Sequence, residues 1–376
     1  MNENIASLKK INISGFNNEY INEWQARGDK VIGWLCTYVP EELIYAAGAL
    51  PVRVMADEGT DLGEADAYLH SNLCSFARSC LASALKGKYD GMDGLVGGNT
   101  CDAMRRLGDI WRNYLKLPFA HILAIPHKMT DKAVDFYKRE IEELKTNLEE
   151  FIGKSISERD LQKAIQMYNQ TRALLQKLNE LRAQSNPPLS GAEMLSIVKA
   201  GMILPREIYN AMLETVLGDL SQNPRPSAPK LRIVISGSIL DDPEHIRAIE
   251  EMGCWVVAED LCTGSRYYWD LVDEKLEPME ALARRYIQRI PCARMRPYTG
   301  RFNHLVHLAE AFKADGVIYE KIKFCDLYGD DYPMFKAGLE EHRIPHLELE
   351  REYGAGSVGQ IRTRIEAFLE MLTVNK

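Results

Sequence analysis

An alternation of short, apolar, β-branched runs with stretches of helical periodicity, broken once by a long block of helix alone, constrains this fold more than any other feature of the sequence. The runs VIGWLC from Val31, VRVM from Val52, GLVGG from Gly94 and HILAIP from His121 are too short and too β-rich for helices. Between them, EELIYAAGAL and CDAMRRLGDIWRNYL carry apolar residues at helical spacing. This is the pattern of a parallel sheet covered by helices, and it predicts the α/β class. From Asp131 to Gly218 the period is helical throughout, in long amphipathic segments such as DFYKREIEELKTNLEEFIG. The Pro- and Ser-rich stretch SQNPRPSAPK, Ser221 to Lys230, then reads as a linker. Beyond it strands recur at Arg232, Cys254, Gly316 and His346, with helical stretches around Pro243 to Met252, Pro278 to Arg289, Arg301 to Ala314 and Tyr332 to His342. The expected organisation is an N-terminal α/β domain over 1–130, a helical segment and linker over 131–228, and a C-terminal α/β domain over 229–376. The two α/β halves share a pattern but no sequence repeat.

A formal net charge of -8, spread along the chain, gives no basis for nucleic-acid binding. No stretch has the length of apolar residues that a membrane span needs, and MNENIASLKKINISGF lacks the apolar core of a signal peptide. A cytoplasmic location without membrane attachment is expected. In a reducing compartment the eight cysteines are read as buried hydrophobes, catalytic thiols or metal ligands, not as a disulfide framework.

In open parallel sheets, ligands bind beyond the carboxyl ends of the strands. Cys101 follows GLVGGNT, Cys262 follows WVVAEDL and Cys325 follows VIYEKIKF, while Cys74 lies in the loop SNLCSF. Cys101 and Cys325 open similar phrases, TCDAMRRLGDIW and FCDLYGDDYP, in which Asp follows Cys and a helix begins. A helix N-terminus lowers the pKa of a nearby thiol and suits thiolate ligation of a cationic centre. These observations favour a metal or redox site without naming the metal. Paired C-x₂₋₄-C zinc knuckles are absent, as is a ferredoxin run. The sequence also lacks a P-loop and HExxH. AGSVG at Ala355 to Gly359 misses the serine-hydrolase elbow by one residue and reads as a glycine-rich turn or a phosphate-contacting loop.

The phrases GWLCTYVPEELIYAAGALPVRV, LCSFARSCL, GNTCDAMRRLGDIW, AEDLCTGSRYYW and KFCDLYGDDYP closely resemble subunits of the 2-hydroxyacyl-CoA dehydratases and ATP-dependent benzoyl-CoA reductases. The likeness runs over nearly the whole chain. It implies two Rossmann-like α/β domains with parallel sheets plus an added helical segment, and a [4Fe-4S] cluster between the domains on Cys74, Cys101 and Cys325. Cys36, Cys80, Cys254, Cys262 and Cys292 are left over. One branch of the family holds a double-cubane cluster on six cysteines, at positions like Cys262 and Cys292 among others. The absence of cysteine from LKGKYDGMDG disfavours that branch here, with Cys80 as a substitute ligand.

Three protein ligands leave one iron open to a substrate oxygen. The resemblance further implies that a separate ATP-hydrolysing iron–sulfur activator delivers one electron, which converts the acyl-CoA thioester to a ketyl radical anion. A dehydratase then expels the 2-hydroxyl of an (R)-2-hydroxyacyl-CoA, a lyase reaction, whereas a reductase reduces an aromatic ring. A homologous second subunit is implied, in a homo- or heterodimer, and a flavin is compatible with the family. Beyond catalysis, a scaffold that only carries electrons is the alternative from another class.

For Thr37 two readings stand: a hydrogen bond to the substrate oxygen near the open iron, or an N-cap for the helix near Pro40. Glu41 and Glu42 are candidate proton carriers, or first-turn acids that answer the helix dipole. Arg105, with Arg106, is a candidate for CoA phosphates or for tuning the cluster, against ordinary salt bridging. Arg266 and Tyr267 are candidate substrate contacts, with packing as the alternative for Tyr267, Tyr268 and Trp269.

Overall fold

The computed structural model describes residues 3–56, 60–222, 230–353 and 358–374. Two parallel sheets form its frame. The first contains β1 (Val31–Trp34), β2 (Leu50–Arg53), β3 (Gly94–Gly98) and β4 (Phe119–Leu123) in the order β2-β1-β3-β4. The second contains β5 (Leu231–Gly237), β6 (Cys254–Asp260), β7 (Gly316–Ile322) and β8 (His346–Arg351) in the order β6-β5-β7-β8. All eight strands lie where the β-rich runs predict them. Central β1 and β3 are buried along their whole length, as strands covered on both faces must be. Pro51 has no N–H to give, and it is tolerated because β2 is an edge strand.

The two sheets repeat one topology, so the duplication that the sequence does not reveal is present in the fold. In each, the chain leaves the first strand for a neighbour on one side and then crosses to the other. The crevices between β1 and β3 and between β5 and β7 are therefore topological switch points, where α/β folds place ligands. Gly237, at the end of β5, has φ +138°, and a Cβ there would sit 1.8 Å from the Glu320 carbonyl oxygen. Only glycine lets β5 and β7 approach this closely beside the second switch point.

Four helices make the predicted helical segment: Asp131–Ile152, Glu158–Leu181, Gly191–Gly201 and Arg206–Gln222. Thr130, Ser157 and Ser190 cap the first three, Ser190 in a capping box with Glu193. Their apolar faces share one core with Ile32, Trp34 and Val96 of the first sheet and with Tyr286 of helix Pro278–Gln288. Helix Gly191–Gly201 also packs on helix Pro243–Glu251 of the second domain. The segment thus braces both domains. The N-terminal helix Glu3–Ser14, which the sequence reading leaves unassigned, lies against Gly191–Gly201.

Helix Asp326–Glu341 starts at the residue after Cys325, as the phrase FCDLYGDDYP predicts, and runs through Pro333 into the helical stretch expected from Tyr332. Residues 223–229 of the expected linker, and 355–357 of the AGSVG phrase, lie outside the described residues. Among the described residues no helix is long and apolar enough to cross a membrane.

Candidate metal centre

Three cysteines cap three helices that point at one place. Cys101 follows β3 and is the N-cap of helix Asp102–Tyr114, with φ -152° and its Sγ accepting from the Met104 N–H at 3.4 Å. The sulfur takes the place of a capping oxygen. Cys325 follows β7 and is the N-cap of helix Asp326–Glu341, after Phe324 at φ +64°. Cys74 is the N-cap of helix Ser75–Leu85. Three helix N-termini thus turn their partial positive ends toward one cavity, which suits a group that carries negative thiolates.

The thiols themselves behave differently from the sequence expectation. First-turn N–H groups do favour the thiolate at all three sulfurs, but burial outweighs them. Burial pushes the Cys101 thiol up to about 12 and raises Cys74 and Cys325 as well, and neighbouring thiols add to the rise at Cys101 and Cys325. The correction is that the helix ends do not by themselves ionise these cysteines. A bound cation would favour their ionised form, and its binding would release protons.

The cavity, of about 120 Å³, lies between the carboxyl ends of the two sheets. Besides Cys74, Cys101 and Cys325, its wall carries Cys36, Cys262 and Cys292. Six of the eight cysteines therefore meet in one place. A wider cleft of about 420 Å³, with Arg105 and Asp102 on its wall, reaches the same three helix-capping cysteines from the other side. Cys74, Cys101 and Cys325 are thus common to both spaces, while Cys36, Cys262 and Cys292 belong to the inner one alone. Cys36 has φ +76°, a strained backbone for a residue with a side chain, of the kind found at functional sites. Cys80 is fully buried in apolar core and forms no part of the cavity wall. Cys254 is likewise a core thiol, donating to the Ile249 carbonyl.

Among the described residues no three His, Cys, Asp or Glu side chains stand close enough to share one metal ion. The cysteines instead surround a space. That arrangement fits a body with several metal atoms, each meeting a different sulfur.

Residues 36–372 match the 2-hydroxyglutaryl-CoA dehydratase D-component family. The chain belongs to that family. It is 28% identical over 347 residues to the (R)-phenyllactyl-CoA dehydratase beta subunit of Clostridium sporogenes, covering 92% of each chain. It is 26% identical over 350 residues to a benzoyl-CoA reductase subunit of Thauera aromatica, covering 91% of each. Against the (R)-2-hydroxyglutaryl-CoA dehydratase subunit beta of Acidaminococcus fermentans the identity is 28% over 358 residues, covering 93% of this chain and 94% of that one.

Of the other residues singled out in this family member, Thr37 lines the cavity and is buried. It does not cap a helix: the N-cap of helix Glu41–Ala46 is Pro40. Its Oγ1 accepts from Arg289 Nη2 at 2.7 Å, which leaves the Thr37 hydroxyl proton free to donate into the cavity. Glu41 and Glu42 lie behind the cavity wall in buried ion pairs. Arg206 Nη2 donates to Glu41 at 2.7 Å and to the Tyr267 hydroxyl at 2.7 Å. Arg172 pairs with Glu42, and the Tyr286 hydroxyl donates to it at 2.7 Å. Burial raises Glu41 despite Arg206. Burial also acts to raise Glu42, but Arg172 and Arg285 outweigh it and hold that carboxyl low.

Arg105 lies on the outer cleft, half-exposed, 3.6 Å from Asp102. Arg266 is buried, 3.4 Å from Asp260, donating to the Gly237 carbonyl and to the Tyr328 hydroxyl. Tyr267 stacks on Trp34 with ring centroids 6.3 Å apart. Arg266 and Tyr267 are thus away from any open surface, and of the three candidate substrate contacts only Arg105 faces an open cleft. The convergence of Cys36 and Cys292 with the rest has no local signal, because they come from a strand end and a helix end far apart in sequence.

Proposed function

We propose that this chain is the [4Fe-4S] subunit of an ATP-activated radical dehydratase that eliminates water from an (R)-2-hydroxyacyl-CoA. The observation that carries this reading is the convergence of Cys74, Cys101 and Cys325, each at a helix N-terminus, on one cavity between the sheets. These three residues would hold the cluster. When bound, it would supply one-electron chemistry at a low potential. The chain's own residues then do the rest. Three helix ends stabilise negative charge at the sulfurs, and Thr37 is positioned by Arg289 to donate to a substrate oxygen. The relatives are themselves named as subunits, two of them beta subunits of dehydratases, which supports a homologous partner for this chain. The wide cleft outside the cysteines offers an approach for an iron–sulfur activator. Its reaction is assayed with partner and activator, ATP and a (R)-2-hydroxyacyl-CoA panel without oxygen. Formation of the 2-enoyl-CoA supports the dehydratase; no dehydration of the panel, together with loss of benzoyl-CoA in a parallel assay, moves the chain to the reductase reading.

A second reading has its own observation. Cys36, Cys262 and Cys292 on the inner wall give the cavity six thiols, enough for the double-cubane branch despite the missing cysteine in LKGKYDGMDG. Iron content separates the two readings.

A further inference from the structure

Arg53, at the last position of β2, is buried to 3% exposure and lines the cysteine cavity. Its guanidinium carbon lies 4.5 Å from the centre of the Trp34 ring, and its Nε and Nη1 have no hydrogen-bond partner. No carboxylate among the described residues pairs with it. Every other buried arginine among the described residues donates to a carboxylate or a carbonyl: Arg172 to Glu42, Arg206 to Glu41 and Arg294 to Thr100, for example. Burying an unpaired cation is costly, and stacking on an indole offsets only part of that cost. An arginine kept in this state faces an anion that arrives with the cavity's occupant. The field of Arg53 already reaches the thiols, lowering Cys262 and Cys80 against their burial.

We propose that Arg53 is the fixed counter-charge of the thiolate-ligated cluster and holds its reduction potential up. This rests on the cluster reading above. A cluster bound by thiolates is anionic, and each added electron makes it more so. A guanidinium in a low-dielectric wall therefore stabilises the reduced form more than the oxidised one. Arg53 acts through the cluster and is a positioning charge, with no contact to substrate claimed for it.

The test uses the whole protein, purified without oxygen, as wild type, Arg53→Met and Arg53→Lys. Iron per chain is counted, and the midpoint potential is read by titration with a low-potential reductant followed by electron paramagnetic resonance. Arg53→Met with full iron is expected to shift to a lower midpoint by at least 59 mV, the value of a tenfold change in a one-electron equilibrium. Arg53→Lys keeps the charge and is expected to lie closer to wild type. Loss of iron in Arg53→Met but not in Arg53→Lys supports the same role. An unchanged midpoint in Arg53→Met, an equal shift in both variants, or loss of iron from both overturns it, the last by showing that the guanidinium serves packing on Trp34. A wild-type protein without iron and sulfide overturns the cluster reading itself, a result distinct from any of these.

Discussion

Two buried polar regions lie side by side between the domains, and they are built on opposite terms. Behind the cavity wall, Glu41 and Glu42 meet Arg206 and Arg172, with Tyr267 and Tyr286 completing the hydrogen bonds. In the cavity, six thiols and the Arg53 guanidinium face a space, with the thiols held protonated at Cys101 and Arg53 without a partner. The first region balances its charges internally and holds helices from distant parts of the chain together. The second is unbalanced, and its imbalance describes what it is shaped to receive. A buried charge with its partner present is architecture, whereas one without a partner marks a binding site.

The largest effect that distinguishes the regions is on stability. Glu42→Ala leaves Arg172 buried and unpaired, and a loss of about 3–5 kcal/mol is expected in urea unfolding. A loss under about 1 kcal/mol would mean that the pair is not structural and would reopen Glu42 as a proton carrier. Next is the reactivity of the cavity thiols in metal-free protein. With Cys101 near 12 instead of the usual 8.5 or so, alkylation of Cys101 at pH 8 should be about a thousandfold slower than that of a free thiol. Its rate should keep climbing with pH and not level off near 9. The sign for stability follows: the raised thiol favours the folded state fully below the unfolded pKa of about 8.5. That contribution is lost as pH rises from there through about 12. A Cys101 that alkylates at the free-thiol rate would show that helix-end stabilisation, not burial, dominates.

Thr37 lies where the two regions join. Thr37→Val is expected to lower kcat about a hundredfold with iron content unchanged, while Thr37→Ser keeps most of the rate. Equal rates in both variants would leave Thr37 as a mere tether for Arg289. The smallest effect is on the surface. Arg106 pairs with Asp102 at 2.8 Å in the open, and Arg106→Ala should leave the unfolding midpoint where it is.

Local patterns made the strands legible. Runs such as VIGWLC and GVIYEKI give eight strands in their observed places, and a cysteine just beyond a strand end was enough to mark Cys101, Cys262 and Cys325 as site candidates. Contacts made across the chain were not legible. Arg172 and Arg206 reach Glu42 and Glu41 from helices more than a hundred residues away, and nothing in PEELIYAAG announces them. Arg53 reads in sequence as one residue of a β-rich run; only its burial against Trp34 and the thiol wall gives it a role. Cys36 and Cys292 joined the site for the same reason, through domain docking that no short window of sequence contains. The helix starts at Cys101 and Cys325 were legible, but the state of their thiols was not, because desolvation cannot be read from spacing.

The central claim is that Cys74, Cys101 and Cys325 hold one iron–sulfur cluster. Its direct test is iron and acid-labile sulfide per chain in protein purified without oxygen, for wild type and for Cys74→Ala, Cys101→Ala and Cys325→Ala. About four irons in the wild type, lost in each variant, is the result expected of a single cubane, and about eight would move the assignment to the six-cysteine cluster. Zinc in place of iron, or iron that survives these substitutions, would contradict the claim.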